Sequence, residues 1–400
     1  MKIRTRSLLL LAVYLLTACT PLTQPRLDGA QPAEPGQPPT SIPTGAVQPP
    51  ALLTPAPQAA VQLAWFYKEP DGEAYATVAQ HFQRYILTHG NEDVRRRFIE
   101  AGARGPFLEY LRFEAIHNPG ECDDEPWNNQ AAYNRGDFCR ISLEHPDWFL
   151  LDEFGARIVD RYQEAEFVRM DPGNPGWQAF FLERARQVQE TYAWDGVFLD
   201  NVEVSYAKLE RKGIRLQKYP DEQAYLSAIQ GFLKHLYEGY FQPQGKLLYA
   251  NLVATQDEAG WAAYLPWLDG VMHEGWAVDW PNRWRSQEQW EAQLSLAEQV
   301  QQAGKFMFVI SQGRQEDAAL QEFAFASYLL INQGQAAFRY AHSSSYRGVW
   351  LYDNYRLPLG LPLGPRYRQG DAWRRDYTNG YVTVDPQSHA VQIVVTNNGS

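Results

Sequence analysis

The hydrophobic pattern of this chain changes period many times. Short apolar runs, closed by Gly or polar residues, read as strands buried on both faces. Between them lie longer stretches with apolar residues at helical spacing. The runs predict strands at 62–67, 106–112, 166–171, 196–201, 246–251, 270–274, 305–311 and 336–340, and the longer stretches predict helices such as 176–191, 222–240, 287–303 and 318–331. Eight strands with intervening helices predict the α/β class and a (β/α)8 TIM barrel over residues 61–340. No Gly-rich phosphate fingerprint follows the first strand, which speaks against a dinucleotide-binding sheet. After Tyr340 the helical pattern stops, and β-formers at 381–384 and 391–396 predict a short C-terminal β extension, 341–400, packed on the barrel. The irregular connection from Phe113 to about Val159 is long enough to cover the active face or cap one side.

Two predicted strands share one grammar. Residues 195–200 read Asp-Gly-Val-Phe-Leu-Asp and residues 269–274 read Asp-Gly-Val-Met-His-Glu. Each Asp-Gly opens a buried run that closes on a carboxylate, so Asp200 and Glu274 sit at C-terminal strand ends, where barrels carry catalytic groups. Counting strands puts them on the fourth and sixth. Each falls on the face opposite its Val, so both carboxylates are expected in one interior pocket. The alternative is that they are surface acids or helix caps.

Other strand ends supply candidate substrate-binding groups: Tyr67, Tyr110, Asp171, Asn201, Glu203, Asn251, Trp276, Gln312, Arg339 and Tyr340. Asp171 serves equally well to fix the following Pro-Gly turn and cap a helix. Glu203 is a reserve acid. His273 alternates away from Glu274 and reads as a barrel–helix packing residue. The histidines show no metal-binding spacing and no Gly-x-Ser-x-Gly elbow occurs, so neither a metal site nor a cofactor nor a serine nucleophile is expected.

The first sixty residues have a different character. Lys2, Arg4 and Arg6 precede an apolar run from Leu8 to Leu16, and Leu16-Thr17-Ala18-Cys19 resembles the lipobox of bacterial lipoproteins. Residues 1–18 are then a signal peptide and Cys19 the lipidated residue of a chain anchored to a bacterial membrane, outside the cytoplasm. Residues 19–60 are crowded with Pro and predict a tether without a core, able to hold the body up to roughly 100 Å from the surface. Cys122 and Cys139, in an oxidising compartment and one loop-like segment, are expected to pair. Net charge is −11, and about −14 without residues 1–18, which hold three basic and no acidic residues. An acidic body argues against nucleic acid as a partner. The 13 Trp among 14% aromatics suit stacking on sugar rings as well as a core, and a monomer is expected.

The segments 194–201, 169–172 and 270–275, with Leu359-Gly360-Leu361-Pro362-Leu363-Gly364 and Arg375-Asp376-Tyr377-Thr378-Asn379-Gly380, resemble hypothetical glycosyl hydrolase family 15 over about residues 60–385. That group of TIM barrels is similar to the endo-α-1,4-polygalactosaminidase family. The resemblance implies a glycoside hydrolase acting on an extracellular or cell-wall polysaccharide or oligosaccharide. An acid on strand four with another on strand six also resembles retaining α-galactosidase-type barrels, which implies Asp200 as nucleophile and Glu274 as general acid/base. The rival is a carbohydrate-binding lipoprotein without turnover, which needs only one of the two carboxylates.

Overall fold

The computed structural model describes residues 61–253, 258–279, 283–342 and 345–396. The expected signal peptide, Cys19 and tether lie outside them. Eight parallel strands form the barrel: β1 (Ala64–Tyr67), β2 (Arg84–Thr88), β3 (Phe107–Arg112), β4 (Gly196–Glu203), β5 (Leu247–Val253), β6 (Gly270–Glu274), β7 (Phe306–Gln312) and β8 (Ala336–Ala341). Each pairs with the next in sequence order. The ring joins at one parallel bridge, Leu63 to Phe338, where Phe338 N donates to Gln62 O at 2.9 Å.

Alternation along these strands sorts the side chains. Ala64, Phe66, Ile86, Leu108, Phe198, Tyr249, Met272, Phe308 and Ala337 fill the barrel interior, and their neighbours face the helices. The helices packed around the barrel include α1 (Tyr75–His81), α2 (Glu92–Glu100), α3 (Pro175–Tyr192), α4 (Glu222–Leu236), α5 (Gln287–Gln302) and α6 (Ala318–Ile331). Their starts follow local rules. Asn174 caps α3, accepting from Gly176 N at 2.9 Å, with Pro175 at the first position; Ser286 and Gln289 form a reciprocal capping box on α5.

Two strand assignments change. The run at 84–88 is a barrel strand that sequence periodicity missed; its Arg84 looks like a surface residue but lies over the Phe306 ring, 4.4 Å from the centroid. The run at 166–171 is not in the barrel: Ala165–Arg169 is the middle strand of an antiparallel sheet with Ala115–Asn118 and Val159–Tyr162. This sheet belongs to an excursion between β3 and α3. An apolar run in the middle of a small sheet is buried as a barrel strand is, and local pattern does not separate them. The two differences cancel in the count, so Asp200 lies on the fourth strand and Glu274 on the sixth. The excursion also holds the Cys122–Cys139 disulfide, with Cα atoms 5.6 Å apart.

The repeated Asp-Gly openings do the same work twice. Asp195 Oδ2 accepts from Phe107 N of β3 at 2.7 Å, and Asp269 Oδ2 accepts from Leu248 N of β5 at 2.9 Å. Each ties its strand to the preceding neighbour at the barrel's N-terminal end. The glycine is a packing requirement at both: a Cβ on Gly196 would lie 2.1 Å from Leu247 O, and one on Gly270 would lie 2.5 Å from the Tyr249 ring.

The C-terminal extension is an antiparallel sheet, β9 (Tyr367–Gln369), β10 (Ala372–Tyr377), β11 (Gly380–Val384) and β12 (Val391–Val395). It packs on α6, which is buried from Leu320 to Ile331 apart from Glu322. A helix apolar on nearly all sides must be covered on all sides. Arg375 Nη1 donates to Leu329 O at 3.1 Å and Asn332 O at 2.8 Å, and the Tyr377 hydroxyl donates to Leu329 O at 2.6 Å. These bonds satisfy carbonyls at the end of α6 that the helix leaves unpaired.

Glu109 faces outward from β3 and is fully buried, accepting one bond from Gln189 Nε2 at 2.8 Å. Burial raises its carboxyl to about 8. The folded state therefore holds this proton more tightly than the unfolded chain, so its contribution is complete below pH ~4 and is lost as pH rises toward 8. Glu109→Gln, which keeps the shape without the acid, should remove that loss. In urea unfolding, wild type should lose stability relative to the variant between pH 5 and pH 8, with a slope of up to about 1.4 kcal/mol per pH unit. A stability difference that does not change with pH over that interval would show that Glu109 does not carry the proton.

Candidate active site

The barrel mouth gathers polar ends of several strands. Asp200 and Asn201 lie where the pairing of β4 with β5 shifts, between Leu199 and Val202. That step places one extra residue on β4, a bulge, which re-aims side chains and is common beside functional sites. Asn201 takes the left-handed conformation there, with φ of 60°, which Asn tolerates better than most residues. Tyr67, at the end of β1, also has positive φ, 66°.

Asn251 on β5 joins the two carboxyls. Its Nδ2 donates to Asp200 Oδ1 at 2.9 Å and to Glu274 Oε2 at 3.1 Å. An amide NH2 carries two hydrogens, so it can serve both acceptors. These two oxygens are therefore no more than about 6 Å apart, the sum of the two bonds, against the ~5–5.5 Å that suits a nucleophile and acid pair and the ~6.5–9.5 Å that leaves room for a water. Asp200 Oδ2 also accepts from Asn201 Nδ2 at 3.2 Å and from the Tyr110 hydroxyl. Glu274 Oε1 accepts from the Tyr346 hydroxyl at 3.4 Å.

Protein crowding, and then the negative charge of Asp200, raise Glu274 to about 7. The residue is nonetheless open to the cleft by its surface exposure. Tyr67, Tyr110 and Tyr346 make one aromatic wall: the Tyr67 ring meets the other two edge-on, each at 5.1 Å. Burial first, and the adjacent carboxylates after it, raise all three phenols well above their ordinary value. They stay protonated and act as donors. Gln312 Nε2 donates to the Tyr346 oxygen at 2.5 Å.

The structure thus brings together Asp200, Glu274, Tyr67, Tyr110, Asn201, Asn251 and Gln312. It places the other candidates elsewhere. Trp276 is fully buried and donates to Ala324 O of α6 at 3.1 Å, because it lies beyond the strand and turns outward. Tyr340 faces the outer layer, 1% exposed, between Trp350 and Tyr352. Asp171 holds a turn, accepting from Gly173 N at 3.0 Å, Lys218 Nζ at 2.6 Å and the Tyr219 hydroxyl. Glu203 is the partner of Arg169, whose Nη1 lies 3.0 and 3.2 Å from its two oxygens, and it accepts from the Tyr225 hydroxyl at 3.1 Å. Arg339 is buried and holds backbone, with Nη2 donating to Gly348 O at 2.8 Å and Tyr346 O at 3.2 Å. His273 lies between Trp261 and Trp276, and burial lowers it to about 4, so it is neutral.

Sequence reasoning missed two features. Arg112 and Glu114 form an ion pair of 2.8 Å beside Asp200, and burial, opposed by Arg112 and reinforced by Asp200, raises Glu114 to about 7. The alternation Tyr110, Arg112, Glu114 carried that signal. Tyr346 lies beyond the last strand in a stretch with no periodicity, marked only by its density of aromatics. Among the described residues no group of three or more His, Cys, Asp or Glu is arranged to hold a metal.

The model of hypothetical glycosyl hydrolase family 15 matches residues 119–381, which include both carboxylates, Asn251 and Tyr346. The chain belongs to that family. The match begins after β3 and runs into β11, so it takes in most of the excursion and the first part of the C-terminal sheet, while Tyr67 and Tyr110 stand outside the matched segment. A search of curated proteins found no match. Solved structures similar to this family member include an α-amylase from Malbranchea cinnamomea, at 9% identity and TM-score 0.46 over 82% of this chain and 85% of that one. A maltogenic α-amylase from Thermotoga neapolitana gives 10% and 0.44 over 81% and 85%, and an α-galactosidase from Thermus thermophilus gives 14% and 0.44 over 83% and 68%.

The Arg169–Glu203 pair joins the excursion to β4, and both side chains are almost fully buried. Replacing Glu203 by Ala leaves the buried guanidinium with Asp160 alone, 2.7 Å from its Nε, and should lower stability by up to about 3 kcal/mol. A chemical-denaturation midpoint measures this; an unchanged midpoint with lost activity would return Glu203 to the list of acids.

Proposed function

We propose that this family member hydrolyses O-glycosidic bonds of an extracytoplasmic polysaccharide or oligosaccharide, with Asp200 as nucleophile, Glu274 as general acid/base, and net retention at the anomeric carbon. The observation that carries this reading is the Asn251 amide shared between the two carboxyls, which keeps them within one sugar's width. A protein that only bound glycans would need one carboxylate, not a pair with a common donor.

In the first step the Asp200 carboxylate attacks the anomeric carbon as the bond to the leaving oxygen breaks, and that oxygen takes the proton of Glu274. In the second, Glu274 takes a proton from water, whose oxygen attacks the same carbon and frees Asp200. With Glu274 near 7 both forms are accessible near neutral pH. The acid form is lost above that value, so kcat/KM should fall on the alkaline side from about pH 7. Glu274→Gln should lower hydrolysis by roughly 10²–10⁴-fold, and Asp200→Asn by at least as much, with circular dichroism unchanged. A glycan panel assayed for new reducing ends finds the substrate, and proton NMR of the first product gives its anomer. Full activity in either variant, or an inverted product, overturns the assignment.

Support for the surface location comes from the basic, apolar and Leu-Thr-Ala-Cys segments at residues 2–19. We propose that Cys19 carries the lipid and residues 20–60 form the tether. Cys19→Ala should move the protein from the membrane pellet to the soluble extracytoplasmic fraction; continued pelleting would rule the lipid out as the anchor.

A further inference from the structure

We propose that Tyr346 is a positioning residue for Glu274: its hydroxyl holds Glu274 Oε1 and stabilises the carboxylate that remains once the proton has gone to the leaving group. This rests on the reading of Glu274 as the acid. The direction of the hydrogen bond is set by its neighbours. Gln312 Nε2 donates to the Tyr346 oxygen at 2.5 Å, which leaves the phenolic hydrogen to face Glu274 Oε1 at 3.4 Å. Asn251 meets the other oxygen, Oε2. Each oxygen of Glu274 thus has one neutral donor, an arrangement that favours the ionised form. Among the described residues, the other groups whose charge or dipole reaches Glu274 include Asp200 at the bulge of β4, Lys208 in the segment after that strand, and the Tyr67 phenol of β1.

The segment carrying Tyr346 is held far more firmly than a surface loop needs. Arg339 grips its backbone at Tyr346 O and Gly348 O. That guanidinium is buried, its Nε and Nη1 have no hydrogen-bond partner among the described residues, and its charge faces the rings of Trp65 at 4.4 Å and Phe82 at 5.0 Å. On the other side, Arg347 O accepts from Asp71 N at 2.9 Å, and the Arg347 side chain pairs with Asp71 at 2.9 Å and Glu69 at 3.2 Å. The strap therefore runs from β8 to the loop after β1, with the Tyr346 ring packed edge-on against Phe66 and Tyr67. A cation kept under these conditions, an ion-pair latch and two aromatic contacts all serve to place one hydroxyl beside the acid.

The test is the titration of Glu274 in carbon-13 labelled full-length protein, its resonance assigned by loss in Glu274→Gln, in wild type and Tyr346→Phe. Removing the hydroxyl should raise the Glu274 midpoint by about one pH unit. The alkaline limb of kcat/KM should rise with it, and kcat should fall about tenfold with KM within about twofold. An unmoved midpoint with a folded variant overturns the proposal and leaves Tyr346 as packing. Should Tyr346→Phe fail to fold, Gln312→Leu decides: it frees the phenol to rotate, and should move the midpoint up by a smaller amount, whereas no movement overturns the proposal. The titration needs no substrate. A shifted midpoint in a protein that cleaves no glycan would sustain the hold of Tyr346 on Glu274 while the hydrolase reading alone fails.

Discussion

Two hydrogens on one nitrogen organise the mouth of this barrel. The Asn251 amide reaches Asp200 on one side and Glu274 on the other, and it does so because β5 lies between β4 and β6 in the sheet. The bulge in β4 completes the geometry by inserting a residue where a regular strand would carry Asp200 past the level of its neighbour. Remove the register and the amide cannot serve both acids. The precision of the site is thus inherited from strand pairing, which is set by apolar packing many ångströms below it.

Around that amide the protein concentrates negative charge and manages it with neutral donors. Glu274 and Glu114 are each lifted toward neutrality by burial and by the negative charge of Asp200. The tyrosines stay protonated under the same influence and so remain donors toward those carboxylates. The cations nearby are engaged in structural work: Arg112 pairs with Glu114, Arg169 joins the excursion to β4 through Glu203, Lys218 secures Asp171, and Arg339 holds the strap. With those cations engaged, the negative charge of Asp200 acts on Glu274 and favours its protonated form.

The sequence made the barrel legible because burial on both faces leaves continuous apolar runs. Asp200 and Glu274 were legible because parity from Val197 and Val271 carries through a regular strand. The same reasoning failed where regularity ends. Trp276 and Tyr340 looked like rim residues by position, but each points into the layer of helices. Glu203 looked available, but its partner Arg169 lies 34 positions away and no local pattern links them. The strand at 84–88 was hidden by Arg84, whose charge is laid over a ring inside the barrel. Tyr346 was illegible for a different reason. Its place depends on a chain path held by Arg339 and Arg347, and loops carry no period to read.

The way the outer layer is completed has a consequence for how the molecule comes into being. Gln62 N donates to the Tyr328 hydroxyl across 266 positions of sequence, and α6 is covered only when β10, β11 and β12 have been made. The first strand waits for a partner near the end of the chain, and the most apolar helix waits for the very last strands. Contacts this distant slow folding. A chain emerging from its N-terminus, whether from a ribosome or through a membrane pore, would hold a sticky helix and an open edge until nearly all of it had passed. The outer cover of α6 and the closure of the ring at Phe338 are therefore complete only when nearly the whole described body has been made.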